Sequence, residues 1–161
     1  MKNMVIRFLL PHKIKFVGIV LFLLGLVAAY LRFYIGLKPS YLTVPVFAVY
    51  SSFLETKTFQ VIKNNVSEEI TALLLLLGLF AINFSKEVIE NEKVDSLRLF
   101  SFASSVLLNT MILIFCVLFI FGFAFVNVLM FNMFSQLMIY QIIFRIHYIK
   151  NKKKFLTDGI S

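Results

Sequence analysis

LFSFASSVLLNTMILIFCVLFIFGFAFVNVLMFNMFSQLMIYQIIF, residues 99–144, is a run of 46 residues without one charged side chain. Its single glycine, Gly122, sits at the midpoint. Each 23-residue half reaches ~34 Å as a helix, enough to cross a hydrocarbon core of ~30 Å. The run reads as two membrane-spanning helices, residues 99–121 and 123–146, joined by a tight turn at Gly122, Phe123 and Ala124.

Composition extends that reading to the whole chain. Of 161 residues, 60% are hydrophobic and 15% charged, and the mean hydropathy is +0.92. A soluble globule of this composition would lack the polar surface to cover its core. The net charge of +8 points to anionic lipid rather than to nucleic acid, because basic residues flank apolar runs instead of forming a stripe. The one cysteine, Cys116, has no partner for an intramolecular disulfide. Tryptophan is absent, so Phe and Tyr must form any interfacial belt.

Two further apolar runs precede the hairpin. The first span covers residues 14–37, introduced by Pro11, since proline suits the start of a helix. Its N-terminal flank, with Lys2, Arg7, Lys13 and Lys15 among apolar residues, suits a short interfacial helix. Val27 and Ala29 resemble a signal-peptide cleavage site, but the apolar run continues through Tyr34 and favours an uncleaved span. Arg32 is expected to snorkel outward, and Gly25 with Ala29 forms a small-xxx-small pair for close helix packing. The second span has a core of only 15 apolar residues, 70–84, and is expected to extend over residues 66–89. Asn65 and Glu68 have capping-box spacing before it, and Ser67 is a second candidate cap.

Between these spans, the outer loop 38–65 is punctuated by Pro39 and Pro45 and rich in valine and aromatics. Residues 43–51 and 58–62 favour strand, which predicts a small β-hairpin turning at 51–57. The connector 85–98 holds Lys86, Glu87, Glu90, Glu92, Lys93, Asp95 and Arg98 and reads as a solvated helical extension and turn. The basic tail 147–161 acts as a stop-transfer signal and frays at its end. Twelve Lys and Arg lie on the side of the termini and connector against four on the other. The fold class expected is therefore an all-α membrane protein of one domain. It has four transmembrane helices, both termini cytoplasmic, and a small extracytoplasmic β-hairpin between helices 1 and 2.

The chemistry-bearing residues are few. Glu87, Glu90, Glu92 and Asp95 form an acid cluster with no histidine beside it, and Lys86, Lys93 and Arg98 can neutralise it. It reads as a cytoplasmic docking surface rather than a metal or acid–base site. His12 and His147 lie at the cytoplasmic interface and are able to approach each other if the first and fourth spans are neighbours. Neither is deep enough to ligate a transmembrane haem. No hydrolase set, phosphate loop or zinc spacing is present, so no catalytic residue, cofactor or metal is expected.

Polar residues inside the last two spans carry the strongest signal. Folding the hairpin about Phe123 matches Asn109 with Gln136, Ser105 with Gln141, and Ser101 with Arg145 in depth. Ser101, Ser105 and Asn109 recur at i+4 and share a face. The expectation is a polar seam of Ser105, Asn109, Asn132, Gln136, Gln141 and Arg145, with Asn109 and Gln136 hydrogen-bonded at its deepest layer. Arg145 is within reach of Asp95 or Glu92 in this scheme.

LPHKIKFVG (10–18), NNVSEEI (64–70), FSKE (84–87), LRL (97–99), FIFG (119–122), NV (127–128) and FNMF (131–134) together resemble a family of uncharacterised bacterial four-span integral membrane proteins. That resemblance implies the bacterial cytoplasmic (inner) membrane, and frequent encoding beside a small helix-turn-helix regulator. It carries no activity or site residue. The functional expectation is a non-enzymatic membrane partner or sensor whose partners are the lipid bilayer, a regulatory or membrane protein, or further copies of itself, without direct nucleic-acid binding. The rival is a small oligomeric transporter or channel with the seam amides lining a polar path. Single cysteines at Ser52→Cys and Asn151→Cys, in a Cys116→Ala background, test the orientation. An impermeant thiol reagent should label the first and not the second in intact cells, and the reverse pattern would invert the topology.

Overall fold

An apolar solvent leaves backbone N–H and C=O groups without partners, and a continuous helix satisfies all of them internally. The long apolar runs of this chain fold accordingly. The structure, a computed structural model, describes residues 9–52 and 56–158. Helix α1 is His12–Ala29 and continues through a π-helical turn, Tyr30–Tyr34. A 3-10 turn, Ser40–Leu42, leads into strands β1 (Thr43–Ser52) and β2 (Thr56–Asn65). Helices α2 (Ser67–Asn83), α3 (Glu92–Phe119) and α4 (Phe123–Asp158) complete the chain. Three segments, His12–Tyr34, Glu92–Phe119 and Phe123–Lys152, are long and apolar enough to cross a membrane.

Several boundaries differ from the sequence reading. Helix α2 stops at Asn83 and does not extend to Val88 and Ile89, because residues 84–86 leave the helix to pair with the chain ahead of α1. Leu10 N–H donates to Phe84 O at 2.8 Å, and Lys86 N–H donates to Leu10 O at 2.9 Å. Helix α3 starts at Glu92, seven residues before the uncharged run, since Asn91 Oδ1 accepts from Val94 N–H and caps it. Helix α4 continues past residue 146 as far as Asp158, so the tail is helical where it is described. The expected interfacial helix falls largely on residues 1–8, outside the described residues. Pro11 immediately precedes α1, and Gly122, at φ +69°, makes the turn between α3 and α4.

The hairpin is antiparallel, from Thr43↔Asn65 to Ser52↔Thr56, so β2 is longer than residues 58–62. The capping box is not formed. Asn65 Oδ1 accepts from Ser67 N–H at 3.2 Å, and its amide nitrogen donates to Pro39 O at 2.8 Å and Thr43 Oγ1 at 3.2 Å. Glu68 instead takes Arg32, which therefore bridges α1 to α2 rather than snorkelling free.

The helices pack as two antiparallel pairs, α1 with α2 and α3 with α4, joined along α2 and α4. In the first pair the backbones approach closely. A Cβ on Gly78 would lie 2.6 Å from Phe22 N, and one on Gly18 would lie 2.8 Å from Ala81 Cβ. Gly25 faces Leu75. The small-residue stripe on α1 thus runs through Gly18 and Gly25, seven apart, on the face that also carries the half-buried Ala29. Gly78→Ala should cost about 1–3 kcal/mol through overpacking against backbone that cannot yield, and Gly78→Leu more. Thermal unfolding in detergent would measure both. Unchanged melting of Gly78→Leu would contradict this packing.

Candidate functional site

The polar and charged side chains gather in two places. The first is the junction where the connector meets all four helices. Ser85 ends the α2 spiral by donating its hydroxyl to Ala81 O, and Asn83 donates from Nδ2 to Leu137 O of α4 at 3.0 Å. His12 Nδ1–H donates to Lys86 O at 2.9 Å. These bonds turn the chain inward at Glu87, whose carboxylate is buried. Lys15 of α1 donates to Glu87 Oε1, and Arg145 of α4 stands 3.7 Å from Oε2. Glu90 Oε1 accepts from Glu87 N–H at 2.5 Å and from Arg98 Nη2 at 2.5 Å. The Arg98 guanidinium lies 5.1 Å over the Phe144 ring, in the cation–π range. Below it, Tyr140, Phe144 and Tyr148 stack at i+4 spacing, with centroids 6.0 and 5.7 Å apart, around the fully buried Val94.

The connector was expected to present a solvated acidic face, and for two of its carboxylates the structure corrects that. Glu87 is buried and Glu90 half-buried, and both hold helices together. Residues 87–90 are not helical, so the two do not share a helix face; Glu90 folds back on the Glu87 backbone instead. Glu92 is exposed and Asp95 half-buried in the first turn of α3, where negative charge suits the helix dipole. Arg145 is placed against Glu87 rather than Asp95 or Glu92. His12 and His147 are engaged separately: His147 Nδ1–H donates to Ile143 O at 2.9 Å and its ring meets Phe100 edge-on.

The second place is the α3–α4 interface. Ser101, Ser105 and Asn109 are all buried, on the one face their spacing predicts. The partners of Ser105 and Asn109 are displaced from the expected ones, and Ser101 Oγ, expected at the depth of Arg145, has no hydrogen-bond partner among the described residues. Asn109 Oδ1 accepts from Asn132 Nδ2 at 3.3 Å and from the Ser135 hydroxyl, while the Gln136 amide meets Ser105 Oγ at 3.0 Å. Asn109 and Gln136 therefore share an interface but not a hydrogen bond. The cause lies in the turn. Helix α3 ends at Phe119 and α4 begins at Phe123, so the hairpin folds about Phe121 rather than Phe123. A two-residue shift of the midpoint moves the depth-matched position on α4 by about four, one turn, which brings Asn132 to Asn109 and Gln136 to Ser105. Gln141 is half-buried one turn before Arg145, and Cys116 is half-buried in α3.

Sequence reading missed Lys15, Asn83 and the glycine pair Gly18 and Gly78. A lysine in the first turn of an apolar helix was a signal for the first of these, because such a charge needs a carboxylate. Among the described residues no group of three or more His, Cys, Asp or Glu stands close enough to hold a metal ion. Comparison with known proteins returns no matching family model, curated protein or solved structure.

Breaking a buried ion pair on one side costs about 3–5 kcal/mol, because the remaining charge stays buried. Glu87→Ala and Lys15→Met should each destabilise the protein in that range in detergent melts. The double variant Lys15→Met with Glu87→Leu should recover much of the loss. Equal or additive losses would show that the pair is not coupled.

Proposed function

We propose that this chain is a non-enzymatic, four-span integral membrane protein that serves as a membrane partner or sensor. Helix α2 is the fourth span. It has 17 residues, ~26 Å of helix, and packs antiparallel along α1 through Gly18, Gly25 and Gly78. Leu10, the connector and Arg145 meet at one end of the bundle, which supports both termini lying on one side. The excess of Lys and Arg there supports the cytoplasmic side of a bacterial inner membrane.

The observation that carries the functional reading is the state of the seam. Ser105, Asn109, Asn132, Ser135 and Gln136 are linked by hydrogen bonds to one another within the α3–α4 contact. Amides engaged in this way act as packing bonds between helices, each contributing about 0.6 kcal/mol and at most about 1.7. They favour a dry bundle over a permeation path. Glu92 and Lys93, exposed on the first turn of α3, are the surface this reading assigns to a cytoplasmic partner. Glu87 and Glu90 have an architectural role. A protein regulator of the kind implied by the family resemblance fits the charged, water-facing end of the bundle.

Reconstitution decides between partner and transporter. Vesicles containing the protein should leak ions and small solutes no faster than empty vesicles. Asn109→Leu and Ser135→Ala should couple in a double-mutant cycle on stability by the amount given above. A photo-crosslinker at Glu92 should capture a cytoplasmic protein in cells, with capture lost when Lys93→Glu reverses the adjacent charge. A solute flux abolished by Asn109→Leu would instead establish transport.

A further inference from the structure

An isolated two-stranded sheet is marginal in water and normally needs a third strand or a packed surface. Strands β1 and β2 form such a sheet, and the β-strand alternation puts Phe47, Val49, Phe59 and Val61 on one face. These four side chains are 64%, 58%, 71% and 67% exposed. Phe59 has a positive φ of 51°, and the register omits a Val49↔Phe59 pair. Its ring meets that of Phe47 at a centroid distance of 6.4 Å, which puts it on the same face. The opposite face carries Val44, Val46, Ala48 and Ile62 beside Thr58, Gln60 and Asn64, and its apolar residues are less exposed: Val44 is 37% exposed and Val46, Ala48 and Ile62 are half-buried.

The root of this sheet is fixed to the helix ends. Asn65 ties Pro39 and Thr43 to the first turn of α2, and Val66 N–H donates to Leu42 O at 3.1 Å. One residue separates β2 from α2. On the four-span reading, the sheet therefore starts at the membrane boundary. Exposed Tyr30, Tyr34 and Tyr41 surround that root, where amphipathic rings favour the headgroup level. The strands contain two lysines and no acidic residue, and Lys38 and Lys63 are exposed. Glu68 and Glu69 stand at the root beside these lysines, so the complementarity to a bilayer rests on the exposed apolar face at the membrane boundary, with Lys38 and Lys63 able to meet anionic headgroups.

We propose that the Phe47–Val49–Phe59–Val61 face of the hairpin seats on the lipid bilayer, as an interfacial anchor beside the spanning helices. This rests on the membrane-spanning reading above, so the test separates the two. The protein has no tryptophan, so one introduced residue is a unique reporter. Phe47→Trp and Phe59→Trp report the proposed lipid face, Gln60→Trp the opposite face, and Phe115→Trp the interior of α3. Each full-length variant is reconstituted into phosphatidylcholine vesicles with and without phosphatidylglycerol, with normal or brominated acyl chains.

The expected result is blue-shifted emission from Phe47→Trp and Phe59→Trp, quenched by brominated chains and more strongly with phosphatidylglycerol. Gln60→Trp should remain red-shifted and unquenched. Red-shifted, unquenched emission from both lipid-face reporters, with Phe115→Trp quenched, would overturn the anchor while leaving the spans intact. A blue shift that brominated chains do not quench, and that fades as the protein is diluted in lipid, would assign the face to a second copy and overturn the proposal. Loss of quenching at Phe115→Trp as well would remove the membrane-spanning reading and the anchor with it.

Discussion

Glu87 sits between the two helix pairs with its carboxylate withdrawn from solvent and held by Lys15 from α1 and Arg145 from α4. Removing charges from water costs several kcal/mol per ion, and the cost is recovered only where opposite charges and hydrogen bonds surround each of them. That requirement sets the local architecture. The connector must leave the helix after Asn83 to bring Glu87 inward, Leu10 must pair with Phe84 and Lys86 to satisfy the freed backbone, and Glu90 must turn back to meet Arg98. Apolar substitutes of equal volume would fill the space without dictating which helices meet there.

Elsewhere the two helix pairs are held by different physics. In α1 and α2 the glycines bring backbone against backbone, so attraction comes from many close dispersion contacts. In α3 and α4, the buried face of α3 carries Ser101, Ser105 and Asn109 while its large apolar side chains point outward, and hydrogen bonds cross the contact. The first pair tolerates no added volume at Gly78. The second is governed by register, and its register is set by a turn built on Gly122.

The seam illustrates how far a pattern can be read. Buried Ser101, Ser105 and Asn109 follow from the helical period alone, since i+4 spacing defines a face whatever lies opposite. Their partners depend on where the hairpin folds, and a turn is resolved in sequence only to a few residues. Two residues of error at the turn became one helical turn at the seam. The β-hairpin was legible for the same reason as the helices, through valine and aromatic strands bounded by proline and polar residues. Its rooting through Asn65 was not, because Asn65 equally satisfied the spacing of a capping box.

By itself the sequence determined the local properties: helices from long apolar runs, the turn at Gly122, the strand pair, and the buried serine–asparagine face of α3. Each depends on periodicity, length or a single residue's conformational range. Only the tertiary structure decided that Glu87 is an internal residue. Its partners lie 72 positions before it and 58 after it, and no local pattern separates a carboxylate in water from one between two distant cations. The same holds for Gly18 and Gly78, whose meaning comes from the helix opposite. Side chains that satisfy one another at long range are invisible in a one-dimensional pattern, because the free energy belongs to the pair and not to either residue.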